Sequence, residues 1–169
     1  MGERRMLDIQ IRVATAADLS AINDIYNHYV ACSACTYQEE PEMMDDRRAW
    51  FAEHGDAHPI TVAMVAGEVM GWGCLSPYRA RSAYRFTVEN SVYVRHDMQR
   101  RGIGRLLLAD LIVRARAAGH HTIVAVIDAE QTGSIALHVA MGFHDGGELR
   151  ELGFKFGRWL HVRYLQYML

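Results

Sequence analysis

Along residues 86–94 apolar and polar positions alternate. Phe86, Val88, Val92 and Val94 face one way, and Thr87, Glu89, Ser91 and Tyr93 face the other, the period of a strand. From Gly104 the period lengthens to that of a helix, with Leu107, Leu111, Ala115 and Ala118 on one stripe and Gly119 as its stop. The same reading extends along the chain. Ile9–Val13 is a first strand, and Thr15 and Asp18 form a capping signature before a helix striped by Leu19, Ile22, Ile25, Tyr26 and Tyr29. Pro41-Glu42 opens a second helix carrying Trp50 and Phe51, closed by residues 55–59. Strands at 60–65 and 69–75 flank Ala66-Gly67-Glu68 as a hairpin, followed by a loop at 76–82 with Pro77 and two arginines. Residues 122–127 are nearly all apolar, which suits a buried strand. A helix at 134–140 ends at Gly142-Phe143, and strands at 143–149 and 159–167 close the chain as an antiparallel pair. With no repeat or linker, the pattern predicts one α/β domain over residues 1–169, a mixed sheet flanked by helices.

Between the strand and the helix lies Gln99-Arg100-Arg101-Gly102-Ile103-Gly104. A helix N-terminus preceded by glycine offers unpaired N–H groups and the positive end of the helix dipole, so it suits a pyrophosphate. Two adjacent arginines strengthen that reading. A dinucleotide fingerprint needs a third glycine where Leu107 stands, and a nucleoside-triphosphate loop needs Gly-Lys-Ser/Thr, whereas the only lysine is Lys155. A bare Gly-x-Gly is equally compatible with a turn that binds nothing; the strand, the Gln and the paired arginines around it favour a ligand.

Composition narrows the classes. The 169 residues are 50% hydrophobic with a net charge of −2, enough for a core and without the basic surface of a nucleic-acid binder. No polybasic or long apolar stretch argues for a membrane. The start, MGERRMLDI, has charge without an apolar signal core, and Gly2 lacks the Ser or Thr of a myristoylation signal, so a cytoplasmic location is expected. An arginine-dominated positive charge points to a GC-rich bacterial genome. Cys32, Cys35 and Cys74 form an odd set with no second Cys/His pair at ligand spacing, so free thiols and no metal site are expected.

The order of these features resembles the GNAT superfamily of N-acetyltransferases across nearly the whole chain. Gln-x-x-Gly-x-Gly after Val92-Tyr93-Val94 is similar to the acetyl-CoA segment of that superfamily. Ile25-Tyr26-Asn27, Ala80-Arg81-Ser82-Ala83-Tyr84, Thr87-Val88-Glu89, Leu137-His138 and Lys155-Phe156-Gly157-x-Trp159 resemble the phosphinothricin and methionine sulfoximine/sulfone N-acetyltransferases. The resemblance implies the GNAT acyl-CoA N-acyltransferase fold and a direct transfer of acetyl from acetyl-CoA to the α-amine of a small amino-acid-like substrate. It also implies a homodimer, with weak support from the aromatic C-terminal segment of Phe154, Phe156, Trp159 and Tyr164.

What it implies for the site is specific. The backbone of Val92, Tyr93 and Val94 would splay from the neighbouring strand and hold the acetyl and pantetheine portion, with Gln131 and Ser134 contributing. Arg100, Arg101, Gly102, Ile103, Gly104 and Arg105 would take the pyrophosphate. Glu89 is the first candidate for the base that an α-ammonium requires before it can attack. His138 is the second catalytic candidate, an acid or part of a proton relay, or else a core histidine. Arg81, with Arg79, would hold the substrate's carboxylate or phosphinate-like group, and Tyr37, Tyr78 and Tyr84 are either pocket walls or core.

Two positions depart from the family pattern. Gln131 stands for an asparagine, and Trp159-Leu160-His161 for Trp-x-Asp. The rival readings are a related enzyme acting on a polyamine, an aminoglycoside or a protein N-terminus, and a non-catalytic acyl-CoA-binding module. The pairing of Glu89 with His138 speaks against the second.

Overall fold

The computed structural model describes residues 8–169; the readings placed on residues 1–7 lie outside them. The first strand, β1 (Ile9–Val13), is followed by a capping box. The Asp18 carboxylate accepts the backbone N–H and the hydroxyl of Thr15 at 2.7 and 3.1 Å. Arg12 binds both carboxylate oxygens at 2.7 and 2.8 Å, which holds the Asp18 carboxyl below its ordinary range. The box launches α1 (Leu19–Cys32), whose Leu19, Ile22, Ile25 and Tyr29 are buried as the stripe predicts.

The second helix, α2 (Met44–Ala52), starts later than Pro41-Glu42 predicts. The Glu42 backbone is already engaged: its N–H donates to Asn27 Oδ1 at 2.8 Å, and its carbonyl accepts Asn23 and Asn27 amides at 2.9 and 3.0 Å. Those bonds pin the segment before α2 to α1 in an extended form. β2 (Ile60–Val65) and β3 (Glu68–Pro77) then meet in a two-residue turn, Ala66 and Gly67, both at positive φ (51° and 83°). That geometry matches strand twist and brings Glu68, read above as part of the turn, into β3.

β4 (Thr87–Val94), α3 (Ile103–Ala117) and β5 (Thr122–Asp128) form the strand–helix–strand unit that the change of period predicts. Leu107, Leu111 and Ala115 of α3 are fully buried, but Ala118 is exposed beyond the helix end. Two glycines of β3 permit the close approach of α3. A Cβ on Gly71 would lie 3.1 Å from Ile103 Cγ2, and one on Gly73 would lie 3.0 Å from Leu111 Cδ1. After α4 (Thr132–Ala140), β6 (His144–Lys155) runs six residues further than predicted and pairs with β7 (Arg158–Met168).

The seven strands form one mixed sheet in the order β1-β2-β3-β4-β5-β7-β6, with β4/β5 its parallel pair. Helices α1 and α2 cover Val62, Trp72 and Cys74; α3 packs on Leu75, Val88 and Ile123. Among the described residues no helix is long and apolar enough to cross a membrane.

Candidate active site

The site begins where β4 and β5 part. They pair only at Thr87–Thr122, Val88–Ile123 and Glu89–Val124. Beyond Glu89, β4 continues against β3 and β5 continues against β7, so the facing edges diverge. Divergence opens a cleft of about 550 Å³ bordered by Val92, Val94, Gly104, Gln131, Ser134 and His138. Among the described residues the peptide groups of β4 on that side have no strand partner beyond Glu89 and are open to a ligand.

The amides of Ile103, Gly104 and Arg105 lie in the first turn of α3, ahead of its opening bond from Leu106 N–H to Gly102 O at 3.1 Å. These three residues border the cleft together with Arg100 and Gly102. Arg101 is exposed and does not border it. The two glycines serve different purposes. Gly102 adopts φ +87° with open space where a Cβ would stand, whereas a Cβ on Gly104 would lie 3.3 Å from Leu137 Cδ2 of α4. Gly102 thus suits the left-handed turn, and Gly104 lets α3 pack closely on α4. Unpaired amides, two arginines and the diverging strand edge fit a long, anionic, amide-bearing ligand such as acetyl-CoA.

His138 lies in the same cleft but is only 3% exposed. Its Nδ1 lies 2.8 Å from the Ser134 carbonyl, which can only accept, so Nδ1 carries the proton. Nε2 then accepts from Asn90 Nδ2 at 2.9 Å. Burial lowers the imidazole's pKa below its ordinary value, and the ring is neutral. In this arrangement Nδ1 donates and Nε2 accepts, so both ring nitrogens are engaged.

Glu89 projects from the opposite face of β4. It is half-buried and has no ion pair or side-chain hydrogen bond among the described residues. Desolvation raises its carboxyl above the ordinary range. Ser76 stands directly across from it in the β3/β4 register, and Cys74 stands across from Ser91. The loop bearing Arg79 and Arg81 joins β3 to β4 at this end, just beyond the Pro77–Val88 pair. Arg81 is exposed without a side-chain partner among the described residues, while Arg79 lies over the Tyr78 ring at 5.1 Å. Tyr78 and Tyr84 pack edge to face at 5.6 Å.

Tyr37 is committed elsewhere. Its hydroxyl donates to Asp128 Oδ2 at 2.9 Å and approaches the His161 carbonyl at 3.2 Å, and burial and Asp128 raise its pKa well above the ordinary value. Its ring lies 2.5 Å from where a Cβ of Gly153 would stand. The buried Lys155 donates to the carbonyls of Ser33 and Thr36, both at 2.9 Å, and so fixes the loop that leads into Tyr37. His161 receives the Glu151 N–H on Nδ1 at 2.9 Å, bridging β7 to an irregularity in β6. The three cysteines are free thiols, and no cluster of three or more His, Cys, Asp or Glu suited to a metal occurs among the described residues.

Tyr29, read from sequence only as part of a buried stripe, also borders the cleft. Its hydroxyl donates to the Val94 carbonyl and receives Gln99 Nε2 at 2.8 Å. Gln99 thus steadies the loop from behind. A buried tyrosine needs a hydroxyl partner, and that need was the available signal. Asn90 and Arg47 carried no comparable one. Arg47, 3% exposed, lies among Tyr26, Trp50 and Trp72 and donates Nε to Asn23 at 3.1 Å.

The model of the acetyltransferase (GNAT) family matches residues 22–143. An L-methionine sulfoximine/L-methionine sulfone acetyltransferase of Pseudomonas paraeruginosa is 42% identical, over 95% of this chain and 94% of the relative. A phosphinothricin N-acetyltransferase of Streptomyces viridochromogenes is 40% identical, over 97% of this chain and 88% of the relative. A solved GNAT superfamily phosphinothricin acetyltransferase from Sinorhizobium meliloti, in complex with acetyl-CoA, superposes with a TM-score of 0.92 at 39% identity, covering 95% and 88% of the two chains.

Proposed function

The chain belongs to the GNAT acetyltransferase family, and on that footing we propose how its residues move acetyl from acetyl-CoA to the α-amine of a small amino-acid-like substrate. The parting of β4 from β5 immediately after Glu89 carries the reading, because it sets a carboxylate at the fork where the acetyl end of a bound coenzyme would lie. Acetyl-CoA supplies the activated thioester. The amides of Ile103, Gly104 and Arg105, with Arg100 and Arg105, hold its pyrophosphate, and the open edge of β4 from Val92 to Val94 holds the pantetheine amides. Gln131 and Ser134 close the other wall of the cleft.

Glu89 takes the ammonium proton. Its raised carboxyl pKa narrows the gap to an α-amine and makes proton transfer less uphill. The Val92 N–H serves the oxyanion that develops on the acetyl carbonyl. Arg81, exposed on the β3–β4 loop and without a side-chain partner among the described residues, pairs with the substrate's carboxylate or phosphinate-like group, and Arg79 adds to the field. His138 keeps Asn90 and the cleft wall in register as a neutral ring.

We place the enzyme in the bacterial cytoplasm as a single catalytic domain that acts as a homodimer. Phe154, Phe156 and Trp159, each more than half exposed on the β6/β7 hairpin, support a self-association surface. The function is tested by following thiol release from acetyl-CoA with phosphinothricin, methionine sulfoximine, methionine sulfone, ordinary amino acids, polyamines and peptides. Turnover of the first three, with peptides and polyamines inactive, is expected. A preference for peptide N-termini would overturn the substrate assignment.

A further inference from the structure

Acetylating an α-ammonium forms one C–N bond and breaks one C–S bond, and the nitrogen gives up two protons. One ends on the departing sulfur; the other must reach solvent in every turnover. Glu89 is half-buried without a polar partner among the described residues, so a carboxyl protonated in the reaction needs a way to discharge.

We propose that Ser76 and His54 form that route, passing the proton from the Glu89 carboxyl through the Ser76 hydroxyl to Nε2 of His54. The inference rests on Glu89 being the base. The geometry gives the route a direction. His54 Nδ1 lies 2.7 Å from the Trp50 carbonyl, which can only accept, so Nδ1 carries the hydrogen and Nε2 is bare. Ser76 Oγ lies 3.3 Å from Nε2 and must be the donor in that bond. Its lone pairs then remain for a proton from the other side, where Glu89 stands directly across the β3/β4 pair. Residues so paired have Cβ atoms about 4.5–5.5 Å apart, within reach of a glutamate carboxyl and a serine hydroxyl.

As the Glu89 O–H breaks, an O–H forms on Ser76, whose own proton passes to Nε2 and leaves an imidazolium. His54 sits at the end of α2, half-buried, where the imidazolium can release the Nε2 proton to water and return to its starting tautomer. Cys74 lies 3.8 Å from Ser76, but burial pushes its thiol up to about 11, so it stays protonated and does not divert the path. Among the described residues the other titratable groups facing the path are His58, which interacts with His54 and His120, and, around Cys74, Arg47 of α2 and Tyr93 of β4. The Trp50 ring packs against the imidazole at a tilt of 53° with centroids 4.6 Å apart, and the segment leading into α2 is fixed where Asn23 and Asn27 bind Glu42.

The test measures turnover with L-methionine sulfone and acetyl-CoA in dilute buffer, comparing wild type with Ser76→Ala, Ser76→Thr, His54→Gln and Glu89→Gln. Ser76→Ala and His54→Gln should lose about tenfold in kcat with both Michaelis constants little changed, less than loss of the base itself because water still carries some protons. Ser76→Thr keeps the hydroxyl and should keep the rate. Added imidazole should restore His54→Gln but not Glu89→Gln. A merely structural role for His54 would not respond to imidazole. If Glu89→Gln is slow while Ser76→Ala and His54→Gln turn over normally, the relay is wrong and the base stands. If Glu89→Gln itself is fast, the base assignment fails, and the relay with it. Should His54→Gln not fold, the contrast between Ser76→Ala and Ser76→Thr decides.

Discussion

Asn90 donates its side-chain amide to Nε2 of His138 across 2.9 Å, joining the diverging part of β4 to α4 beside the cleft. Both residues are more than nine-tenths buried. Asn90→Ala therefore leaves an imidazole nitrogen without a partner, at a cost of about 1–3 kcal/mol. Urea unfolding should show a lower midpoint with an unchanged slope.

The same ring gives a pH dependence. Burial holds the folded-state pKa of His138 below 6.5. The stability of the neutral ring is complete above that value and declines as pH falls below it, because the unfolded chain then binds a proton that the folded one resists. Between pH 7 and pH 5 the wild type should lose stability more steeply than His138→Gln. Equal slopes would mean that the ring titrates freely.

At the mouth of the coenzyme cleft the two glycines should behave differently. Gly102→Val faces the left-handed conformation, a strain of about 1–2 kcal/mol, and disturbs the following amides. It should raise the dissociation constant for acetyl-CoA about tenfold while the protein still melts cooperatively. Gly104→Val pushes against Leu137 and should lower Tm as well. Calorimetric titration and thermal melts separate the two.

Arg81→Ala removes a guanidinium without a side-chain partner among the described residues, proposed to meet the substrate anion. The loss should be on the order of 2–4 kcal/mol in kcat/KM, expressed mainly in the Michaelis constant of the amino acid. Affinity for acetyl-CoA should hardly move. A matching rise in the acetyl-CoA constant would put Arg81 in the wrong place.

The fold was legible where period and punctuation agree. The switch from alternation at Val88–Val94 to the Leu107–Leu111–Ala115 stripe, broken by Gly102, gave strand, cradle and helix. It failed where neither face of a strand is covered. Nearly all of β6 is exposed, so His144–Lys155 shows no alternation, and its irregularities at Gly147 and Gly153 interrupt what pattern there is. At the site, residue types pointed to Glu89 and His138 but not to their environments. That His138 is neutral depends on Ser134 and Asn90 approaching from two elements, and that Tyr37 is tied to Asp128 depends on a contact between distant segments. Side-chain partners brought together by tertiary packing leave no local trace in sequence.

The most direct measurement is the rate of Glu89→Gln against pH beside wild type. The substitution keeps size and removes proton acceptance, so kcat at neutral pH should fall by roughly 100- to 10,000-fold with acetyl-CoA affinity retained, and the deficit should shrink as pH rises and more amine arrives deprotonated. Stability should move the other way. A carboxyl whose folded pKa is raised destabilises the fold above its unfolded value of 4.5, so the variant should melt higher than wild type at pH 7 and lose that advantage in acid. Near-normal turnover of Glu89→Gln at neutral pH would contradict the account.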